Sequence, residues 1–160
     1  MALFLSTFTN KVDRKGRVSV PATFRAALAG QSFNGIVAYR SFRLDALEGC
    51  DYARIAEMSA RLDTLEQFSE EHDNLASIFA EAQQLPFDGE GRIVLPEELV
   101  GHAGIGELAT FVGQGSTFQI WEPEKYKSHQ AEVRDRARRQ GTTLPAARRP
   151  AAPQGPGGAP

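Results

Sequence analysis

Cysteine is almost absent from this chain of 160 residues, with Cys50 the sole thiol. One cysteine cannot close an internal disulfide, and it excludes metal sites built from several thiolates; a lone thiol suits a reducing compartment. Long apolar runs are also missing, and none approaches the roughly 20 residues that span a bilayer. The start, Met1-Ala2-Leu3-Phe4-Leu5, has no basic flank and meets polar Ser6 and Thr7 too soon for a secretory signal core. A cytoplasmic protein without a membrane partner is therefore expected. The three histidines, His72, His102 and His129, show no ligand spacing, so no metal site is expected. No Cys/His or Ser/His/Asp signature and no P-loop is present. The glycine-rich run Gly101-His102-Ala103-Gly104-Ile105-Gly106 follows an expected helix and not a strand, and reads as a flexible loop. Neither an enzyme nor a cofactor nor a small-molecule substrate is indicated.

What is present is an ordinary globular composition, 41% hydrophobic and 24% charged, enough to bury a core. The net charge of -2 hides a strong segregation. Residues 1 to 45 carry seven bases (Lys11, Arg14, Lys15, Arg17, Arg25, Arg40, Arg43) against Asp13 and Asp45. Residues 48 to 90 carry eleven acids against Arg54 and Arg61. From Lys125 onward eight bases face Glu132 and Asp135. Partners respond to such local fields and not to the total.

The chain also repeats itself. Asp13-Arg14-Lys15-Gly16-Arg17-Val18-Ser19-Val20-Pro21 aligns without gaps on Asp88-Gly89-Glu90-Gly91-Arg92-Ile93-Val94-Leu95-Pro96, giving D-x-x-G-R-[VI]-x-[VL]-P. Each copy reads as a turn, in which glycine takes positive φ and the aspartate accepts backbone N–H bonds, followed by a short strand. Pro21 and Pro96 are expected in the first turn of short helices that end at Gly30 and Gly101. Strands are expected at Gly35–Tyr39 and Leu108–Val112, with final extended pieces near Phe42–Leu44 and Phe118–Trp121.

Between the copies, Tyr52, Ile55, Met58, Leu62 and Leu65 recur at helical spacing, and Leu75, Ile78, Phe79 and Ala82 suggest a second helix capped near Asp73 or Asn74. Both stripes are expected to pack on the β-modules. Residues 125 to 140 read as an arginine-rich helix, and 141 to 160 as a disordered basic tail of proline, alanine and glycine.

The repeated motif has two readings. It can be a salt-bridged hairpin corner, since Asp-Gly turns and surface ion pairs are common. It can also project arginine toward phosphates or guanine edges, which the planar guanidinium fork contacts with two parallel hydrogen bonds. The cluster Arg14-Lys15-Gly16-Arg17 favours the second, because three cations around one glycine repel one another and need an anionic partner. In the second copy, Gly89 and Glu90 replace Arg14 and Lys15, so the first copy is expected to dominate, and Arg92 reads equally as a mostly structural residue or as a DNA contact.

The start Phe4-Leu5-Ser6-Thr7-Phe8, the run Asp13 to Ala22 and the second copy at Asp88 to Pro96 together resemble the MraZ family of bacterial transcriptional regulators, in the AbrB-like superfamily. The resemblance covers about residues 3 to 140. It implies an α+β, mainly β fold of two tandem AbrB-like swapped-hairpin modules, forming an intrachain pseudo-dimer with short helices packed around it. The corresponding division is 3–50 for the first module, 51–82 for a helical connector, 83–124 for the second module, 125–140 for the C-terminal helix and 141–160 for the tail. It further implies closed homo-oligomeric rings, binding to repeated boxes of double-stranded DNA in the promoter of the division and cell-wall gene cluster, and association with the nucleoid. The family's paired D-x-x-x-R motif falls on Asp13 with Arg17 and on Asp88 with Arg92. With their neighbours Lys11, Arg14 and Lys15, these are the candidate DNA-binding residues. The alternative is a ring-forming protein-interaction module without direct DNA readout, in which the acidic segment 48–90 meets the basic arm of a neighbouring subunit.

Overall fold

A computed structural model describes residues 2–145. The part of the expected tail from 146 onward lies outside the described residues. The chain divides into two compact units, Met1–Ser128 and His129–Pro160. In the first unit, β1 (Thr7–Lys11), β2 (Arg17–Ser19), α1 (Ala22–Leu28), β3 (Gly35–Arg40) and β4 (Leu47–Cys50) form the first copy of the repeat. Helices α2 (Tyr52–Leu62) and α3 (Glu70–Glu81) come next. The second copy is β5 (Gln83–Pro86), β6 (Arg92–Val94), α4 (Glu97–Ala103), β7 (Leu108–Gly113) and β8 (Phe118–Trp121). Helix α5 (Pro123–Gln140) runs into the second unit, where Arg139 Nε pairs with Asp135 at 3.1 Å.

The fold is α+β with antiparallel sheets, and the two copies interleave. Six strands form one sheet in the order β1-β7-β8-β4-β3-β5, while β2 and β6 pair with each other. Exchanging each strand for its counterpart in the other copy reverses that order onto itself, which is a pseudo-two-fold arrangement. Its axis is marked by two pairs in which a residue faces its own counterpart, Val18 opposite Ile93 and Glu48 opposite Gln119. Val18 and Ile93 are buried. Gln119 Nε2 donates to the Glu48 carboxylate at 3.0 Å, and burial raises the Glu48 carboxyl above its usual range.

The hydrophobic core belongs to both copies. Phe24 of α1 is fully buried, and its ring lies 5.2 Å from Phe4, 5.8 Å from Phe8, 6.4 Å from Phe111 and 5.3 Å from Phe118. These distances suit edge-on and tilted aromatic pairs. Strand β3 is buried along Gly35–Ala38 instead of alternating, as expected for a strand covered on both faces.

Several local expectations are corrected by tertiary fit. No strand forms at Phe42–Leu44, where Phe42 is exposed; the fourth strand is Leu47–Cys50. Gly49 there has low strand propensity, yet a Cβ at that position would stand 2.4 Å from Phe118 Cε2, so the bare backbone is what lets the ring in. Pro21 and Pro96 occupy the N-cap positions, one residue before the first turn. Helix α3 begins earlier than expected, capped by Ser69, whose Oγ accepts from His72 N at 3.1 Å. Glu70, Glu71 and Asp73 then sit in its first turn, where the helix dipole favours acids. Helix α4 continues through Gly101 and ends at Gly104 with φ of 68°, so half of the expected flexible loop is helix. Buried Ala103 and the hydrogen bond of His102 Nε2 with Leu44 O, 3.0 Å, hold that extra turn. Helix α3 buries Ile78, but α2 buries no residue, so its apolar stripe is only partly covered.

Candidate nucleic-acid interface

The two repeated turns have one geometry, built from the aspartate outward. Asp13 Oδ1 accepts from Lys15 N and Arg17 N, both at 2.9 Å, while Oδ2 accepts from Arg17 Nε at 2.6 Å. Asp88 does the same, with Glu90 N at 2.8 Å, Arg92 N at 2.9 Å and Arg92 Nε at 2.9 Å. Gly16 N and Gly91 N donate back to the aspartate carbonyls at 3.0 and 3.1 Å, with φ of 81° and 75° at the two glycines. Only glycine adopts that backbone without strain, which is why the spacing D-x-x-G is fixed. Hydrogen bonds from the Arg17 and Arg92 amides lead the causes that hold both carboxyls below their ordinary 3.8. Both aspartates are therefore anionic at neutral pH and keep their arginines oriented. Asp88 in turn raises the Arg92 guanidinium.

The turns are brought together by the β2–β6 ribbon. Leu95 N donates to Gly16 O at 2.8 Å and Val20 N to Gly91 O at 3.2 Å, so one turn closes each end. Val18 and Ile93 point into the core, which leaves Arg17, Ser19, Arg92 and Val94 on the outer face. Arg17 lies opposite Val94 and Arg92 opposite Ser19. Two steps along a strand and one across place the two arginine Cα atoms about 8 Å apart. Arg14, Lys15 and Lys11 are exposed around the first turn. Glu107, whose carbonyl accepts from Val12 N at 2.8 Å, lines the same surface depression as Lys11 and Arg14.

The copies differ as their sequences suggest. Arg92 Nη2 also approaches Glu90 Oε2 at 3.5 Å, an acid in the place of Lys15. A further cation that motif spacing did not single out lies on the second turn: Arg25 of α1, whose Nε donates to Val20 O at 3.1 Å. Its position is occupied by Val100 in the other copy, and that asymmetry was the available signal. Among the described residues, no cluster of His, Cys, Asp or Glu is placed to hold a metal ion, and no helix is long and apolar enough to cross a membrane.

The family model described as "MraZ protein, putative antitoxin-like" matches residues 78–144, which take in the second copy and helix α5. The chain is 46% identical over 145 residues to the transcriptional regulator MraZ of Rickettsia akari, covering 90% of this chain and 97% of that protein. The chain belongs to the MraZ family. Other MraZ regulators agree: that of Rickettsia felis is 48% identical over 130 residues, covering 81% of this chain and 87% of its own, and that of Rickettsia bellii is 45% identical over 146 residues, covering 90% and 97%. The similarity to these MraZ proteins thus covers most of the chain.

Proposed function

We propose that the chain is a transcriptional regulator that binds double-stranded DNA sequence-specifically, at repeated boxes in the promoter of the division and cell-wall gene cluster. The observation that carries this reading is the pair of aspartate-locked arginine turns at the two ends of one ribbon. Asp13 holds Arg17 by the amide and Nε. The guanidinium then keeps its terminal nitrogens for a phosphate, or for guanine O6 and N7. A two-stranded ribbon is narrow enough for the roughly 12 Å major groove. The first turn, with Lys11, Arg14, Lys15 and Arg17, supplies most of the phosphate attraction; Arg92, shared between Asp88 and Glu90, supplies less.

In this reading residues 3–50 and 83–124 act as the two DNA-binding modules, 51–82 connects them, and the subunits assemble into a closed ring in the cytoplasm, associated with the nucleoid. A ring presents the turn many times, so modest contacts by each subunit sum to tight binding on regularly repeated boxes. Footprinting of the full chain on the DNA upstream of its own coding sequence tests this. Protected patches at a regular spacing are expected, lost on Arg17→Ala. A protein that keeps its assembled size but protects nothing at low salt would act as a protein-interaction module instead.

A further inference from the structure

Arg25 belongs to the first copy, yet its side chain lies on the turn of the second. Its Nε is anchored on the Val20 carbonyl, and Val20 N donates to the carbonyl of Gly91. That anchor sets the guanidinium over Gly91: a Cβ there would stand 2.5 Å from Nη1 and 2.7 Å from both Cδ and Cζ. Gly91 suits the turn by its φ of 75°, and its bare backbone leaves the space in which the Arg25 side chain lies. The equivalent space at Gly16 is closed by the Leu95 backbone at 3.0 Å and Val94 Cγ1 at 3.7 Å, with no α4 side chain among its nearest atoms. The molecule breaks its pseudo-symmetry at this point. It does so beside the turn whose bases have been replaced by Gly89 and Glu90.

We propose that Arg25 is a DNA-backbone ligand of the second turn, a cation supplied by the first copy in place of the one that Glu90 removes. The inference rests on the DNA-binding reading above. Charge arithmetic shows what is at stake. The first turn carries Arg14, Lys15 and Arg17 against Asp13, a net +2, whereas the second carries Arg92 against Asp88 and Glu90, a net -1. A net anionic turn repels a phosphate; adding Arg25 makes it neutral. Arg92 is held by two acids, whereas among the described residues no carboxylate pairs with Arg25. Arg25 is half-buried as a residue and fixed through Nε, so its terminal nitrogens can take an anion at little further ordering cost. Because the contact is to phosphate, it positions the second turn without reading sequence.

The test titrates the full chain with two fluorescent duplexes, one from upstream of its coding sequence and one of random sequence, over a series of salt concentrations. Arg25→Met keeps an unbranched stem over Gly91 and removes the charge, Arg25→Lys keeps the charge, and Arg17→Ala serves as the control. The expected result for Arg25→Met is a salt slope smaller by about 0.9 and a loss of about fivefold in affinity at 0.15 M salt, equal on both duplexes. Arg25→Lys is expected to keep the wild-type slope. Arg25→Gln, which retains a donor for the Val20 carbonyl, takes the place of the Met variant if that variant does not fold. Wild-type slope and affinity in the uncharged variant, or an equal loss in Arg25→Lys, overturn the proposal while Arg17→Ala still reports DNA binding. Salt-insensitive behaviour of the wild type on both duplexes overturns the DNA-binding reading itself, and this inference with it.

Discussion

Replacing Phe24 by alanine tests whether the two copies are one cooperative body. Phe24 comes from the first copy, is fully buried, and touches Phe4 and Phe8 on its own side and Phe111 and Phe118 on the other. Truncating a buried phenylalanine costs about 3–5 kcal/mol, and the cost rises where the surroundings cannot collapse into the cavity. Here β1 is laddered to β7, and β7 to β8, so Phe8, Phe111 and Phe118 are all held by strand pairing and the void persists. A loss of about 4 kcal/mol is the expected value, which corresponds to a fall in Tm of about 8–16 °C at this size. Urea unfolding followed by far-UV circular dichroism and by fluorescence of the single tryptophan, Trp121, supplies the assay. Trp121 lies in β8, in the other copy from the mutation. Interleaving predicts that both probes shift together to the same lower midpoint with the slope unchanged. A loss below about 1 kcal/mol, or a Trp121 transition that stays at the wild-type midpoint, would refute the reasoning.

Three further outcomes rest on the same contacts. Gly49→Ala drives a methyl group against the Phe118 ring and is expected to cost about 1–3 kcal/mol; unchanged denaturant midpoints would contradict that packing. Because the carboxyls of Asp13 and Asp88 are lowered in the folded protein, the stability they contribute is fully present above their unfolded value, near 3.8, and is lost as pH falls through the lower folded values. Carboxylate NMR titration should therefore find both midpoints below 3.8, and Asp13→Asn and Asp88→Asn should flatten the acid limb of the stability profile; midpoints at or above the ordinary value count against the aspartate lock. Cys50 is buried and its thiol is pushed up to about 12, chiefly by burial, so it stays protonated at neutral pH. A thiol reagent at mildly alkaline pH should label it only on unfolding, and rapid labelling of the folded chain would show that β4 is open.

The parts of the fold legible in the sequence were those set by short-range chemistry. The aspartate and glycine of D-x-x-G-R act within five residues, so turn, hydrogen bonds and positive φ could all be read from the motif. Apolar runs located β3 and β7, and helical spacing located α2. What could not be read depends on partners distant in the chain. The place of β4 is decided by the Phe118 ring against Gly49, and the end of α4 by the bond from His102 to Leu44. Interleaving came from family resemblance and not from periodicity, because alternation says which face a strand buries but not which strand it joins. At the candidate site, Arg14, Lys15 and Arg17 stand out as a local cluster, whereas Arg25 looks like an ordinary helix cation until Gly91 is seen beneath it.

The most direct test of the central claim is the salt dependence of binding to the upstream DNA, measured for the wild type and for a variant with Arg14, Lys15 and Arg17 all replaced by alanine. Three lost phosphate contacts should reduce the slope of log affinity against log salt by about 2.7, with the assembled size in solution unchanged. A variant that binds with the affinity and slope of the wild type would contradict the assignment of the first turn as the DNA-binding element.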